Sequence, residues 1–219
     1  MRDVERVPAP SAAQLAAAKQ IYGRTVEWRR SDRALRVLSR RVHGFSPEAT
    51  LLKAVAINSL YRTNIYAIVR VAAHVQRTLG RPDLRSAGPE LVERMAACPM
   101  TDGTVRSLPS FASKFAHFFI APERFPILDR YAETALRRHL GREAIKDPLR
   151  PYLAFARNIE CFRKCLGFRV TLADLDHYLF IAGQHLEWSD KREQAAIGME
   201  MKAMFMRGGK DLQRLFPGA

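Results

Sequence analysis

The sequence has few cysteines and no long apolar run, and both absences exclude classes of protein. Its three cysteines, Cys98, Cys161 and Cys165, are too few and too unevenly spaced for a disulfide framework or a zinc cluster, so we expect no metal site. Cys161 and Cys165 lie one helical turn apart and are expected on a buried helix face, with a metal or redox pair as the alternative. No window approaches about eighteen consecutive apolar residues, so no membrane span is expected.

The sequence also shows no secretion signal and no alternation of apolar and polar residues long enough for strands. The first eight residues, Met1 to Pro8, have no apolar core, so we expect a cytoplasmic protein, associated with the nucleoid if it is bacterial. Because strand patterns are missing and helix signals recur along the chain, the predicted fold class is all-α.

Negative charge is scarce relative to positive charge. Thirty-six Lys and Arg residues against twenty-two Asp and Glu residues give a formal net charge of +14. Such an excess is self-repulsive unless a polyanion offsets it, so nucleic acid is the expected partner and anionic membrane the next alternative. Charge alone does not distinguish DNA from RNA, nor an enzyme from a binding protein.

Several helix starts can be predicted from capping residues. Apolar residues make up 47% of the chain, enough for one large domain or two small lobes that share a core. Ser11 with Gln14 forms a capping box, and Thr171 precedes another helix. Ser46-Pro47 and Asp147-Pro148 each combine an N-cap with a first-turn proline, so helices are expected to begin there.

Two helices are expected to hold a polar loop between them. Residues 51–57 are apolar around almost the whole helical circumference, which predicts a helix in the middle of the bundle. The following stretch, residues 58–64, is abruptly polar. A polar loop between two hydrophobic helices is a good position from which to present side chains to a ligand.

Arginines recur on one side of an earlier predicted helix, and a second basic cluster occurs later in the chain. The first set is Arg29, Arg33, Arg36 and Arg40, and the second is Arg137, Arg138, Arg142, Lys146 and Arg150. A charged stripe is most often a solvated face. Phosphate tracking is the alternative for the first set, since only Asp32 interrupts it.

The most informative region is residues 108–132. It reads as a tight turn at Leu108-Pro109, a short apolar helix beginning near Ser113, a proline-containing loop, and a new helix capped by Asp129. In isolation, Asp129 is first of all an N-cap, and a lysine such as Lys114 in a first helical turn is usually solvated or touches phosphate.

Together these residues resemble the helix-hairpin-helix DNA glycosylases, especially the 8-oxoguanine and endonuclease III branches. Leu108-Pro109 corresponds to the Leu-Pro of their hairpin, Lys114 to their catalytic lysine, and Pro126 with Asp129 to the proline and aspartate of their loop. The resemblance implies a two-lobed helical bundle with a helix-hairpin-helix motif and a cleft between the lobes. The central lobe would be residues 49–128 with the hairpin at 108–114, and the second lobe 1–48 plus 129–219.

The resemblance also implies an activity, excision of a damaged or modified base from double-stranded DNA, with AP-lyase activity. Lys114 would attack C1′ of the flipped nucleotide, and Asp129 would stabilise the oxocarbenium-like transition state. No metal and no organic cofactor would be needed, and three cysteines cannot build the iron–sulfur site of some relatives. A monomer is expected. The residues implied for DNA binding are Tyr61, Arg62, Thr63, Asn64, Ser110, Phe111, Ala112, Ser113 and Arg130, and those for the base pocket are His117, Gln184 and His185.

Departures from the family pattern keep other functions open. Ser110-Phe111-Ala112 replaces the Gly-x-Gly of the hairpin, which removes the freedom of glycine to adopt positive φ. The first alternative is a non-catalytic nucleic-acid-binding protein, and the second is a glycosylase that acts on modified bases of phage DNA in defence. A basic helical protein that docks acidic partners or anionic membrane is a third.

Overall fold

The computed structural model describes residues 7–80 and 83–217, and over these residues the protein is almost entirely helical. The first six residues, Arg81-Pro82 and the last two residues lie outside the described part. None of the described helices is long and apolar enough to cross a membrane. The described α-helices are α1 (Ala12–Arg24), α2 (Val26–Arg41), α3 (Pro47–Leu60), α4 (Ile68–Leu79), α5 (Glu90–Ala96), α6 (Pro109–Phe119), α7 (Arg130–Leu140), α8 (Pro151–Cys165), α9 (Leu172–Lys191), α10 (Met199–Arg207) and α11 (Lys210–Leu215).

Three of the predicted helix starts are confirmed by their capping bonds. The Ser11 hydroxyl accepts from the Gln14 N–H at 3.3 Å, and the Gln14 side chain accepts from the Ser11 N–H at 2.8 Å. The Ser46 hydroxyl caps α3 and the Thr171 hydroxyl caps α9, each by accepting from the N–H three residues further along the chain. The predicted start at Asp147-Pro148 is wrong, because Asp147 instead closes a turn by accepting from the N–H groups of residues 149 and 150, and α8 begins at Pro151.

The chain divides into two compact units, which are described separately. The central unit comprises residues 30–80, 83–128 and 146–156, and the terminal unit comprises residues 7–29, 129–145 and 157–217. The lobes at 49–128 and at 1–48 plus 129–219 stay a prediction.

In the central unit, α6 packs against α3 and α5. All nine residues of α6 from Phe111 to Phe119 are buried, and its phenylalanine rings pack in series, with Phe115 and Phe119 centroids 5.1 Å apart. A short antiparallel hairpin of β1 (Ala97–Pro99) and β2 (Val105–Ser107) connects α5 to α6. The sequence pattern did not predict this hairpin, because three-residue strands are too short to show an alternation.

The prediction that α3 is surrounded by protein is wrong. Leu52 and Val55 are 49% and 43% exposed, whereas Lys53, the one charged residue of the apolar run, is only 2% exposed. Packing of α4 and α6 covers part of the circumference of α3 and leaves this side uncovered. An almost entirely apolar run of residues in α3 is therefore not buried on all its sides.

In the terminal unit, α9 packs against α1, α7 and α10. Its contact with α7 is at backbone distance, because a Cβ at Gly183 would lie only 2.1 Å from the Tyr131 carbonyl oxygen. The Glu200 carboxylate of α10 accepts from the first two N–H groups of α2, at 2.6 and 3.2 Å, and so supplies the cap that α2 lacks locally.

The cysteines of α8 are not on a buried face, so that expectation is also wrong. Cys161 and Cys165 are both exposed, whereas Phe155, Ile159 and Phe162 supply the buried side of the helix. Apolar residues three and four positions apart define the covered face, and the two cysteines lie outside that series.

Candidate functional site

The predicted hairpin before Lys114 does not form as a tight turn. α6 begins at Pro109, with Leu108 as its N-cap, so Ser110, Phe111 and Ala112 already lie in the first helical turn. Proline at the first helical position has a φ angle suited to the helix, and without glycine there is no residue to support a positive-φ turn. Phe111 and Ala112 are 1% and 0% exposed. Only Ser110, among the four residues 110–113, keeps part of its side chain accessible.

Lys114 is a nearly enclosed lysine, with 4% of its surface exposed. Its amine donates to the Ser110 hydroxyl at 2.7 Å and to the carbonyl oxygens of Ser110 and Leu128, each at 3.4 Å. The ring of Tyr61 lies over the amine, with 5.6 Å between Nζ and the ring centroid. These oxygens are neutral acceptors, and the partly exposed Tyr61 ring covers the amine from a second side.

Ser113 attaches the segment before α7 to α6. Its hydroxyl is fully buried, accepts from the Leu128 N–H at 3.0 Å and donates to the Ser110 carbonyl at 3.0 Å. Leu128 thus bonds to two neighbouring residues of α6, Ser113 and Lys114. Leu128 is followed directly in the chain by Asp129.

Asp129 is the N-cap of α7, as the sequence predicted. Its Oδ1 accepts from the N–H groups of Tyr131 and Ala132, both at 2.8 Å. In the described part of the chain both of these bonds go to Oδ1, and the residue is partly exposed. Two bonds to one oxygen fix the orientation of the carboxylate at the start of α7.

Arg130, the predicted DNA contact next to Asp129, bonds to other residues of the terminal unit. Its guanidinium donates to the Ala196 carbonyl at 2.6 Å and lies 3.3 Å from a Glu187 carboxylate oxygen. It also lies over the Tyr131 ring at 4.5 Å. Its hydrogen bond with the Tyr131 hydroxyl raises the pKa of Arg130. Arg130 therefore joins α7 to the C-terminal end of α9.

The loop between α3 and α4, residues 61–67, is held in a defined shape by Asn58. The Asn58 side-chain oxygen accepts from the Thr63 hydroxyl at 2.8 Å and from the Ile65 N–H at 2.9 Å. Arg62 and Asn64 have φ angles of +49° and +54°, which non-glycine residues seldom adopt. Such angles persist only where the surroundings enforce them, and they are frequent at functional sites.

The two tyrosines near this loop differ in exposure. Tyr61, a predicted DNA-binding residue, is half-buried: its hydroxyl donates to Asp32 at 2.5 Å and its ring packs on Phe118 with centroids 5.6 Å apart. Tyr66, which was not predicted as a site residue, is 94% exposed. An aromatic residue beside a helix start was the only sequence signal for Tyr66, and that signal does not reveal exposure.

The predicted base-pocket residues are His117, Gln184 and His185, and each makes contacts within its own unit. His117 is 3% exposed and donates from Nδ1 to the Phe125 carbonyl at 2.9 Å, and burial lowers its pKa to about 4. Gln184 is 1% exposed and donates to the Phe180 carbonyl at 3.4 Å. His185 stacks on Phe216 in the terminal unit. His117 belongs to the central unit, and Gln184 and His185 belong to the terminal unit.

The arginines of α2 form an exposed surface. Arg29, Arg33, Arg36 and Arg40 are all exposed, whereas Ser31 and Leu35 form the buried side of the helix. Among the described residues, no ion pair involves Arg33, Arg36 or Arg40. In the second basic cluster Arg137 pairs with Glu133 at 2.6 Å, and the side chain of Arg142 lies outside the described part. The three α2 arginines that form no ion pair with described residues are therefore available to an anionic partner.

A metal site is not indicated by the described residues, which contain no group of three or more His, Cys, Asp or Glu side chains able to hold an ion.

The comparisons with known proteins give one family. Residues 14–124 match the model of the HI_0787_N family, which is described as an N-terminal domain. The matched residues include α6 with Lys114 and the 61–67 loop, and they end before Asp129. No curated protein and no solved structure gives a significant match.

Proposed function

The chain belongs to the HI_0787_N family, and we propose that this member is a DNA glycosylase that flips a damaged or modified base out of double-stranded DNA and excises it. The observation that supports this proposal best is the enclosed amine of Lys114, bonded to Ser110 and to Leu128, the residue before Asp129. An enclosed lysine amine and a carboxylate held in one orientation are the two groups that this chemistry requires.

Lys114 is the proposed nucleophile. Its neutral amine forms a bond to C1′ of the flipped nucleotide while the glycosidic bond breaks and the base leaves with the electron pair and takes up a proton. Opening of the sugar gives a Schiff base, and β-elimination then nicks the strand. Because the amine is only 4% exposed, DNA binding must displace the Tyr61 ring before the sugar can reach it.

Asp129 is the proposed electrostatic partner. The glycosidic transition state carries positive charge on the sugar, and a fixed carboxylate lowers its energy. The two bonds to Oδ1 hold the side chain in one orientation. Preorganisation of this kind means that no reorientation is needed as charge develops.

DNA binding is proposed to use three features of the chain. The net charge of +14 would attract DNA, and the exposed α2 arginines would contact its phosphates. Pro109 has no N–H and Phe111 and Ala112 are buried, so the uncapped N-terminus of α6 would offer an anion only the N–H of the partly exposed Ser110. Tyr66 would stack on the bases beside the flipped nucleotide.

Tyr66→Ala should weaken binding to a duplex roughly tenfold while Tyr66→Phe retains it.

The experiment is borohydride trapping on duplexes that contain oxidised, deaminated, phage-modified or abasic nucleotides. A covalent protein–DNA adduct that is lost in Lys114→Gln is the expected result. Lys53→Gln is the matched control, since Lys53 is also buried and also donates to a carbonyl oxygen, that of Gly44 at 2.7 Å. Base release without an adduct, abolished in Asp129→Asn, would indicate a monofunctional glycosylase instead.

A non-catalytic nucleic-acid-binding protein is the second candidate. It is favoured by the burial of Phe111 and Ala112 and by the structural bonds that Lys114 makes within the central unit. Salt-dependent binding of duplex DNA, with neither adduct nor base release on any of these substrates, would favour this candidate over the enzyme.

A further inference from the structure

The terminal unit contains a cavity that the proposed glycosylase chemistry does not use. It has a volume of about 510 Å³ and lies between the C-terminal end of α9 and the two last helices, α10 and α11. Four aromatic residues contribute to its lining: His185, Trp188, Phe205 and Phe216. Pockets for small organic ligands are commonly of this size and are commonly lined by aromatic residues.

The rings of the cavity form flat walls. His185 is stacked on Phe216, with centroids 3.7 Å apart and an interplanar angle of 11°. Phe205 meets the edge of His185 at 5.3 Å, and it lies 6.3 Å from Trp188. Flat walls at two orientations suit a planar aromatic ring, which can stack on one wall and meet the edge of another.

Ring nitrogens supply hydrogen-bonding groups at this cavity. In the part of the chain that the structure describes, neither the imidazole of His185 nor the indole N–H of Trp188 makes a hydrogen bond. Burial lowers the pKa of His185 to about 4, so at neutral pH its ring offers one donor and one acceptor. A ligand with both an acceptor and a donor on its ring edge would satisfy these groups, as a heteroaromatic base does.

An arginine lies at the edge of the cavity. Arg192 ends α9 with a φ of +52°, is exposed, and forms no ion pair with any described residue. Gln213, which is also exposed, is another lining residue. A guanidinium beside an aromatic cavity favours a ligand whose ring carries an anionic group, and a phosphate matches it best.

The cavity is separate from the surroundings of Asp129. On α9, residues 185, 188 and 189 share one side of the helix, because they are three or four positions apart. Gly183 and Glu187, which contact Tyr131 and Arg130 of α7, lie on the other side. A ligand in the cavity would therefore not occupy the space in front of the α7 N-terminus.

We propose that this cavity binds a nucleoside monophosphate, with the base against His185 and Trp188 and the phosphate at Arg192. The ring walls, the nitrogens without partners and the arginine at the edge each match one part of such a molecule. The site is independent of the glycosylase proposal and requires neither Lys114 nor Asp129.

The test is titration of the full chain with AMP, GMP, CMP and UMP, followed by calorimetry and by Trp188 fluorescence in a Trp28→Phe background. Saturable binding of at least one nucleotide with quenching of Trp188 is expected, and binding at least tenfold weaker for ribose 5-phosphate and for inorganic phosphate. No saturable binding by folded protein at millimolar nucleotide overturns the proposal. So does equal binding of ribose 5-phosphate, since the rings would then contribute nothing.

Variants test the assignment of each part of the ligand. Arg192→Gly removes the charge without a steric penalty at positive φ, and it should weaken monophosphate binding about tenfold while leaving nucleoside binding unchanged. Leu212→Trp, which fills the cavity, should abolish both. Arg207→Gln, an exposed arginine of the same unit outside the lining, is the control. An equal loss in Arg207→Gln and Arg192→Gly would mean that only overall charge matters, which overturns the site.

Discussion

Predicted site residues lie on both α6 and α9, and the polar side chains of the two helices differ in whether they have hydrogen-bond partners. On α6 the polar residues Ser113, Lys114 and His117 are buried and bonded to oxygens of their own unit. On α9 one side packs at backbone distance on α7, whereas the other lines a cavity where His185 has no hydrogen-bond partner among the described residues. A buried polar group with partners stabilises a fold, whereas ring nitrogens without protein partners at a cavity can bond to a ligand.

The largest effect on stability is expected from a substitution on the side of α9 that packs against α7. Gly183→Ala would bring a methyl group to 2.1 Å from the Tyr131 carbonyl oxygen, so α7 and α9 must separate. We expect a loss of about 3 kcal/mol or more in the free energy of unfolding, measured by urea denaturation. Gly23→Ala in α1 is the control, because nothing lies within 4 Å of its added Cβ, and it should be neutral or stabilising. Equal stability of both variants would contradict the close approach.

The second largest effect on stability is expected from the hydrogen-bonded polar residues of α6. Ser113→Ala removes the hydroxyl that accepts from the Leu128 N–H at 3.0 Å and leaves that N–H buried without a partner. The expected cost is about 1–3 kcal/mol in the free energy of unfolding. Ser59→Ala on the exposed side of α3 should change stability by less than about 0.5 kcal/mol. A Ser113→Ala protein as stable as the parent would mean that α6 does not hold the Leu128 segment through this bond.

The buried histidine of α6 predicts a pH dependence. Burial lowers the pKa of His117 to about 4 in the folded state, below the usual 6.5, so the unfolded chain binds its proton first. The stability from neutral His117 is therefore present above pH 6.5 and is lost as the pH falls from 6.5 towards 4, by at most about 3 kcal/mol. Unfolding of His117→Phe between pH 7 and 4.5 should show a shallower slope than the parent. Parallel slopes would assign the acid sensitivity to other groups.

The smallest effect is expected at the cavity edge. Arg192→Gly replaces a residue at φ +52° with one that adopts this angle freely, so stability should rise by up to about 1 kcal/mol. Arg207→Gly, which places a glycine at the last residue of α10, should lower the stability instead. Thermal unfolding of the two variants compares them directly. A destabilised Arg192→Gly protein would show that the arginine side chain makes contacts that outweigh its backbone strain.

Local signals in the sequence predicted the parts of the fold that local physics decides. Ser11, Ser46 and Thr171 mark real helix starts because a cap needs only the next three residues, and Asp129 caps α7 for the same reason. The predicted start of α6 near Ser113 was wrong by four residues, because Leu108-Pro109 was interpreted as a tight turn and not as the first position of a helix. Local chemistry favoured the helix there.

Tertiary packing determines which side chains are exposed, and the sequence did not predict this. Leu52 and Cys161 are exposed because of which neighbours happen to cover α3 and α8, and no residue near them in the chain records that. Tyr66 rather than Tyr61 is the exposed aromatic of its loop for the same reason. The cavity joins His185 to Phe216, thirty-one positions later, and helical periodicity within α9 alone does not predict that partner.

The missing side chain at Gly183 has a consequence for comparing this chain with relatives. The residue whose backbone lies against it, Tyr131, is also one of the two whose N–H groups hold the Asp129 carboxylate. A homologue with alanine or a larger residue at this position would have to shift the first turn of α7, and the aspartate would move with it. Glycine at position 183 therefore serves as a remote marker, fifty-four positions further along the chain, for homologues that keep the carboxylate in this geometry.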